Sequence, residues 1–427
     1  MQAFADLLDE LGRAQSRNRK LACLSRYFQS TPDPDRGWAL AALTDGLPVR
    51  LPLRRALAEL TAERIDPVLY RLSRDYVGDT AETIALLWPD HPDPSPPAAL
   101  GDVVGELLAA GARGVSGILS RHLDSLSSTG RFALLKLVGG APRVGISARL
   151  ARQAVADAFD HEVDAVEEVW HALTPPYTSL FEWLTGRGPR PDTSNVPVFR
   201  PLMLANPIDD GELAALDPTA IIAEWKWDGI RVQIAASAGD VRLFSRTGDD
   251  ISASFPEIRS TFIGHNAVLD GELLVVRGGT VAPFNELQQR LNRRTVAAKL
   301  MRDYPAHLRL YDLLFAGGED LRTLPLFGRR ERLLAWHAAH RPPLTDVSPL
   351  VPFDSVEALR EIWLATRASG IEGLMLKRKD SPYLNGRPKG HWWKWKRAAL
   401  TLDCVLMYAE RGSGTRSSFY SDFTFRA

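Results

Sequence analysis

The sequence is poor in cysteine, with only Cys23 and Cys404 among its 427 residues. Two cysteines cannot build a disulfide framework or a cysteine-based zinc site, so the sequence favours a reducing cytoplasm. Long apolar runs are missing too, and no stretch approaches the roughly 20 residues that span a bilayer. The first residues lack the basic-then-apolar pattern of a signal peptide. We therefore expect a soluble protein without a membrane segment.

Net charge is also absent, because 52 basic residues balance 52 acidic ones. A neutral total does not exclude a polyanionic partner, since the local distribution of charge sets the field. Lys377–Arg397 contains eight Lys or Arg and one acid, and Glu286–Arg302 contains five and one. A solvated basic face explains one such cluster as well as a binding surface does.

The chain is too long for one hydrophobic core, so two or three domains are expected. Residues 1–172 are rich in alanine and leucine and predict an all-α domain, in which Ser147 caps a helix. Prolines and glycines accumulate over 173–200, as is typical of an interdomain linker. Alternating patterns with intervening helices predict an α+β domain over 201–398. Two strands and a Gly-Ser turn follow in 399–427.

The central chemical signal is the segment Glu224-Trp-Lys226-Trp-Asp228-Gly229-Ile-Arg231. Alternation along a strand places Glu224, Lys226 and Asp228 on one face. A lysine attacks phosphorus only as the neutral amine, which neighbouring cations and desolvation favour. Gly229 would let the chain approach a ligand, and Arg231 suits a phosphate or a sugar. An exposed strand lysine beside an ordinary turn is the alternative interpretation.

Five further motifs follow in order, each offering a polar or aromatic side chain near a strand. An arginine at a strand end suits a phosphate, a tyrosine ring can stack on a base, and carboxylates can hold a ribose hydroxyl or a divalent metal. Each also has a structural explanation as a rim carboxylate, a core tyrosine or a solvated lysine, but chance explains six ordered motifs poorly. The residues concerned are Arg246 in S-R-T-G, Glu272 in D-G-E between two strands, Tyr311 after an alternating strand, Glu372 at the start of a strand, and Lys394 with Lys396 on one strand face.

The ordered motifs E-x-K-x-D-G-x-R, S-R-x-G, D-G-E, Y-D-L-L-F, E-G-L-M-L-K and W-K-W-K resemble those of ATP-dependent DNA ligases, within the covalent nucleotidyltransferase superfamily. The resemblance covers roughly Pro201–Arg397. The helical region resembles the DNA-binding domain of larger cellular and archaeal ligases, most closely over LLKLVGGAPRVGISARLARQAV. The resemblance implies a multidomain fold: an all-α DNA-binding domain, an α+β nucleotidyltransferase domain of ATP-grasp-like antiparallel sheets, and the incomplete start of an OB-fold.

The resemblance also implies roles for individual residues. Lys226 would attack the α-phosphate of ATP and form a covalent lysyl-AMP, with Mg²⁺, or Mn²⁺ in its place, as the metal. The other implied positions are Glu224 beside the adenine edge, Tyr311 stacked on adenine, Arg231 and Glu272 at the ribose and metal region, Arg246 and Arg387 at phosphate, Glu372 at the metal, and Lys394 and Lys396 at the α-phosphate.

The implied activity is the sealing of nicks in duplex DNA during replication, repair or recombination, by a monomer. An RNA ligase or guanylyltransferase of the same superfamily is one alternative, against which the long helical region argues. A catalytically impaired DNA-binding remnant is the other. An OB-fold needs five strands, and about two fit after Leu400, without the basic motif that ligases carry late in that domain.

Overall fold

The computed structural model describes residues 1–426 except 50–52, 111–113, 140–141, 143, 292, 294, 367–369, 397–401 and 413–417. The described residues group into two compact units. The first draws on Met1–Val166, Leu173–Pro191 and Leu400–Ala427, and the second on Glu167–Ala172 and Asp192–Ala399. The domain boundaries given above stay predictions.

The described secondary structure between residues 2 and 184 is helical, which confirms the predicted all-α region. Ser147 caps α10 as predicted, since its Oγ accepts a hydrogen bond from the backbone N–H of Leu150 at 3.2 Å. The helices are α1 Gln2–Arg13, α2 Arg17–Ser30, α3 Asp35–Leu43, α4 Leu53–Arg64, α5 Pro67–Val77, α6 Thr80–Leu87, α7 Leu100–Ala109, α8 Val115–Ser125, α9 Ser128–Gly139, α10 Ala148–Ala158, α11 Val163–Trp170 and α12 Thr178–Leu184.

Helices α2 and α10 run side by side in the same direction. Lys20 Nζ donates to Val144 O at 3.1 Å and to Gly145 O at 3.0 Å, just before α10. One turn further on, Ser25 donates to Ala154 O at 3.0 Å. The glycines of the segment before α10 suit a close approach to DNA phosphates, and a turn between packed helices explains them equally well. Residues 140, 141 and 143 of this segment lie outside the described part of the chain, so the contact with DNA stays a prediction.

The segment predicted as a linker contains helix α12. Leu180, Phe181 and Leu184 of this helix are buried. The ring of Phe181 lies 6.2 Å from the ring of Phe28 on α2. The prolines and glycines that predicted a linker therefore flank a short packed helix within this segment.

The second unit contains two sheets whose pairs are antiparallel except β1–β12 and β7–β9. This confirms the predicted α+β domain of mainly antiparallel sheets. One sheet has the order β1 Asn206–Pro207, β12 Trp392–Lys396, β11 Ile371–Arg378, β2 Ile221–Trp227, β10 Leu350–Val351. The other has the order β4 Asp240–Ser245, β3 Ile230–Ser237, β5 Ala267–Arg277, β7 Ala306–Ala316, β8 Glu319–Asp320, with β6 Thr280–Val281 on β5 and β9 Thr345–Val347 on β7.

Helices cover the outer faces of these sheets and complete their cores. The buried faces of β3, β5 and β7 pack with Phe262 and Leu333. Alternation places Trp393 and Trp395 on the strand face opposite Lys394, which predicts a core position for both. The structure confirms it, because they pack with Leu374 and Leu376 behind the other sheet. The helices are α13 Asp210–Ala214, α14 Pro256–Thr261, α15 Phe284–Gln288, α16 Ala298–Asp303, α17 Leu326–His340 and α18 Val356–Ala365.

Three local predictions need correction. The D-G-E motif does not separate two strands, because β5 runs unbroken through Ala267–Arg277 and both of its faces are buried. Tyr311 lies inside β7 rather than after it, because the strand continues to Ala316. The sequence from Phe284 to Met301, FNELQQRLNRRTVAAKLM, predicts one helical stretch, but the structure divides it between α15 and α16.

The end of the chain forms an antiparallel ribbon of β13 Val405–Arg411 and β14 Tyr420–Arg426. These are the two strands that the sequence predicts there. The start of an OB-fold stays a prediction. In the part of the chain that the structure describes, no helix combines the length and the apolar character that crossing a membrane requires.

Candidate functional site

A cavity of about 760 Å³ opens between the two sheets of the second unit. Strands β2, β11 and β12 of one sheet and β3, β5 and β7 of the other supply its walls. Arg387 is not among the lining residues, although its charge acts on Lys394. The structure brings the other predicted site residues together on this cavity: Glu224, Lys226, Arg231, Arg246, Glu272, Tyr311, Glu372, Lys394 and Lys396.

The candidate nucleophile Lys226 is held by a carboxylate. Its Nζ lies 2.7 Å from Glu372 Oε2, and Lys396 Nζ lies 2.8 Å from the same oxygen. The Lys226 side chain keeps 21% of its surface exposed. A ligand entering the cavity can therefore reach the amine, but attack requires the amine to leave its ion pair and lose a proton.

A β-bulge directs Glu372 towards Lys226. Along β11, Leu374 and Leu376 face the core, and simple alternation would turn Glu372 the same way. The pairing with β2 shifts between Ile371 and Gly373, which leaves Glu372 as the extra residue. Bulges re-aim side chains next to functional sites. Here the bulge places the carboxylate on the cavity side of the strand.

Gly373 is the position where this bulge is most sensitive to substitution. A Cβ there would meet Trp395 O at 2.1 Å, so Gly373→Ala is expected to separate β11 from β12. We expect a loss of about 1–3 kcal/mol in the free energy of unfolding, as for other overpacked sites. Urea denaturation followed by tryptophan fluorescence would measure it.

Gly328→Ala on α17 is the matched control for this substitution. A Cβ at Gly328 meets nothing within 4 Å. Because alanine is the better helix former, this control should be neutral or stabilise by about 0.5–1 kcal/mol. Equal stability of the two variants would show that the close approach of β11 and β12 is not needed.

Carboxylates crowd the space around Lys226. Burial raises the pKa of Asp228, and a hydrogen bond to Glu372 raises it further. Burial also raises the pKa of Glu272 to about 8, with Glu372 and Asp228 adding to the effect of burial. Burial acts on Glu372 in the same sense, but its ion pairs with Lys226 and Lys396 prevail and hold its pKa below the usual value. An added cation would relieve this repulsion.

Glu272 and Glu372 therefore fit a divalent metal that shares its ligands with a substrate. Among the residues described, no three His, Cys, Asp or Glu side chains form a preassembled metal site. Mg²⁺ commonly takes only one or two protein carboxylates together with substrate phosphates and waters. The carboxylate pair suits that mode of binding.

The opposite charge gathers beside the carboxylates. Burial lowers the pKa of Lys394, and the positive charges of Arg387, Lys396, Arg246 and Lys226 lower it further. Mutual repulsion of cations in one cavity indicates a site built for a polyanion, whose binding would neutralise them. Lys394 and Lys396 share the cavity face of β12, as alternation predicts.

Glu224 lies deep in the cavity wall and is paired at both oxygens. Its Oε1 is 2.7 Å from Arg330 Nη1, and its Oε2 is 2.5 Å from Lys377 Nζ. Only 2% of the residue is exposed. Tyr311 and Met375 line the same cavity and offer an aromatic and a flexible apolar surface to a planar base.

Arg231 is fixed by its neighbours rather than free to move. It donates to Met203 O and to Asp270 Oδ2, both at 2.8 Å, and to the hydroxyl of Tyr383 at 3.1 Å. Tyr383 in turn donates to Asp270 at 2.5 Å. Arg231 also pairs in register with Glu272 on the neighbouring strand. A guanidinium so held presents a constant charge to whatever the cavity binds.

Sequence reasoning missed several side chains that belong to this site. Lys377, Met375 and Asp270 lie within motifs quoted above, and alternation from Gly373 along β11 places Met375 and Lys377 on the cavity face. Arg330 gave no local signal, because it lies in an ordinary helical pattern on α17 and acts across 106 residues of sequence.

Two mainly antiparallel sheets around a cavity lined by Lys226 and other cations are the arrangement expected of a nucleotidyltransferase domain. Comparison with known proteins is more specific. The family described as ATP dependent DNA ligase domain matches residues 202–396. The chain is 28% identical to a probable DNA ligase of Koribacter versatilis over all of this chain and 80% of that protein. It is 32% identical to a DNA ligase of Haloarcula marismortui over 76% of this chain and 60% of that protein.

A solved structure supports the same fold over nearly the whole chain. The protein named Pmar-Lig_PreS3 aligns with 99% of this chain and 84% of its own, at a TM-score of 0.54 and 16% identity. Residues 202–396 therefore form an ATP dependent DNA ligase domain, the part of the chain that the family model matches.

Proposed function

We propose that the chain is an ATP-dependent DNA ligase that seals nicks in duplex DNA through a lysyl-AMP intermediate. One observation carries the proposal: the amine of Lys226 lies 2.7 Å from Glu372 in a cavity that also presents Arg246, Lys394 and Lys396. A nucleophile beside a carboxylate and a polyanion-binding face is what transfer of AMP from a triphosphate requires.

In the first step Lys226 Nζ attacks the α-phosphorus of ATP. A nitrogen–phosphorus bond forms, and the bond from the α-phosphorus to the oxygen bridging to the β-phosphorus breaks. The electron pair leaves with pyrophosphate, and the two protons that the ammonium loses pass to pyrophosphate and solvent. Lys394 and Lys396 would bind the α-phosphate and stabilise the charge that develops there. Such positioning and charge neutralisation supply most of the catalysis in phosphoryl-type transfer.

Glu372 would hold Lys226 until ATP arrives. Because Lys226 and Lys396 bind the same carboxylate oxygen, at 2.7 and 2.8 Å, that oxygen becomes free for another partner once both amines turn towards the phosphates. Glu272 and Glu372 are the residues that would bind Mg²⁺, or Mn²⁺ in its place. The metal would supply positive charge against the triphosphate. Arg246 would add to the phosphate contacts, and so would Arg387, whose charge acts on Lys394.

The base would lie against Tyr311, with Glu224 at its edge, and Arg231 would address the ribose. The AMP would then pass from Lys226 to the 5′-phosphate of a nick. Attack by the 3′-hydroxyl joins the strands and releases AMP. We propose that the helical unit binds the duplex through its backbone, independently of sequence.

The chain spans only part of the length of the curated relatives that it matches. The chain spans 80% of the Koribacter relative but about 60% of the Haloarcula relative. Sealing activity, the nicked-DNA partner, the monomeric state and the cytoplasmic location are therefore all parts of the proposal. The two free cysteines are consistent with the last of these, since Cys23 is buried and Cys404 is exposed.

The deciding experiment is incubation of the chain with α-labelled ATP and Mg²⁺. Label on the denatured protein that is stable to alkali, is lost in hot acid as expected of a phosphoramidate, and is removed from the native protein by pyrophosphate would support lysyl-AMP formation. Transfer of that label to a 5′-phosphorylated nick, followed by a sealed strand, would support the full cycle. A folded chain that takes no label, and also fails to seal a nick supplied with its 5′-phosphate already adenylated, would leave only a DNA-binding remnant.

A further inference from the structure

Helix α17 carries two consecutive arginines that reach the two sheets separately. Arg329 pairs with Asp312 on β7 at 2.8 Å, with neither side chain exposed. Arg330 pairs with Glu224 on β2 at 2.7 Å, with 11% and 3% of the side chains exposed. Because adjacent residues on a helix point about 100° apart, one turn can brace two different strands. The helix thus ties together the two walls between which the nucleotide cavity lies.

Arg330 holds Glu224 from a fixed position. Its Nη1 donates to Glu224 Oε1 at 2.7 Å, and its Nη2 donates to Ser348 O at 2.6 Å. Ser348 is 1% exposed and is itself anchored, because its N–H donates to Leu310 O at 2.7 Å. The planar guanidinium fixes the direction of both bonds, which a lysine ammonium would not do.

The second oxygen of Glu224 is held by Lys377 at 2.5 Å. A carboxylate gripped by two cations from different elements keeps one orientation and stays an acceptor of hydrogen bonds. Adenine presents an amino donor at position 6, where guanine presents a carbonyl acceptor. An acceptor fixed in the cavity wall would bind the first and repel the second.

We propose that Arg330 is a positioning residue that sets the base selectivity of the cavity by orienting Glu224. This inference rests on the proposed function in one respect, namely that the cavity binds the base of ATP with Glu224 at its edge. Without Arg330, the carboxylate is held by Lys377 alone and can turn away from the base. Selectivity for a 6-amino group then falls, although Glu224 itself is unchanged.

The test compares ATP with purine riboside triphosphate, which lacks the 6-amino group. Dissociation constants are measured by calorimetry in a Lys226→Met background, so that no covalent transfer interferes. We expect the preference for ATP to fall about tenfold or more in Arg330→Met, as for loss of one charge-assisted hydrogen bond. Binding of purine riboside triphosphate should change less than threefold. Arg330→Lys should lose most of the preference, because it keeps the charge without the paired geometry.

Arg332→Met is the matched control, because Arg332 lies on the same helix with 59% of its side chain exposed. It should keep the wild-type preference. Thermal melting establishes that each variant is folded, and Arg330→Lys supplies the answer if Arg330→Met does not fold. An unchanged ratio of the two dissociation constants, or an equal loss for both nucleotides, would overturn the proposal. If the protein with its native Lys226 takes no label from ATP but the preference for ATP over purine riboside triphosphate is intact, the result counts against the ligase function and not against this role of Arg330.

Discussion

Replacing Lys226 with methionine is expected to lower AMP transfer from ATP to the chain by at least about 1000-fold, the scale on which loss of a covalent nucleophile acts. The substitution removes the amine but keeps much of the side-chain length. The variant keeps Lys394 and Lys396 in the cavity wall to bind phosphate, so ATP should still bind. The measurement is the initial rate at which the protein takes up alkali-stable label from α-labelled ATP, beside the dissociation constant of ATP from calorimetry.

Lys299→Met is the matched control for this prediction. Lys299 is exposed on α16 and does not line the cavity, so its loss removes a lysine without touching the site. Labelling of the Lys299 variant should equal that of the wild type. If the Lys226 variant kept a tenth or more of the wild-type labelling rate, another residue would be the nucleophile, and the assignment of Lys226 would fail.

Strand periodicity predicted much of this site because the relevant side chains lie on regular strands. Glu224 and Lys226 share a face of β2, and Lys394 and Lys396 share a face of β12. A period of two residues is enough to place such pairs. The predicted core positions of Trp393 and Trp395 follow from the same rule and are confirmed. The roles given to these residues in catalysis stay predictions.

Periodicity fails where the backbone departs from regularity or where a contact comes from far along the chain. Glu372 reaches the cavity only because of the bulge before Gly373. A bulge of this kind cannot be predicted from the alternation of side chains along a strand. The sequence predicts the D-G-E motif between two strands, although glycine can also mark a close approach of another backbone within one strand. In the structure Gly271 lies inside β5, where a Cβ would meet Arg309 O at 2.8 Å. The glycine marks close packing against β7 and not a strand end.

Ion pairing explains how this cavity accommodates so many charged side chains. Lys226 and Lys396 share Glu372, and Arg330 and Lys377 share Glu224. The first set is partly exposed and can be exchanged for phosphate and metal, whereas the second is buried and fixed. Buried pairs are held firmly because breaking one of them leaves an unpaired charge in a poorly solvated site. The cavity thus combines a replaceable charge cluster for the triphosphate with a permanent one for the base.

The same reasoning gives the largest expected effect on stability, at Arg329. Its Nε and Nη2 donate to the two oxygens of Asp312 at 2.8 and 2.9 Å, and its Nη1 donates to Leu324 O at 2.6 Å and Ser381 O at 3.0 Å. Arg329→Met leaves the carboxylate of Asp312 buried and unpaired, which is expected to cost about 3–5 kcal/mol of unfolding free energy. Urea denaturation followed by tryptophan fluorescence measures the loss.

A double variant distinguishes the effect of the unpaired charge on Asp312 from the effect of lost packing. Replacing both partners, Arg329→Met with Asp312→Leu, removes the uncompensated carboxylate, so the double variant should recover part of the stability that the single variant loses. Arg332→Met on the same helix should change the free energy by less than about 0.5 kcal/mol, because its partner Glu319 lies 3.5 Å away at the surface. A loss below about 1 kcal/mol for Arg329→Met, or a double variant no more stable than the single one, would contradict this account of the pair.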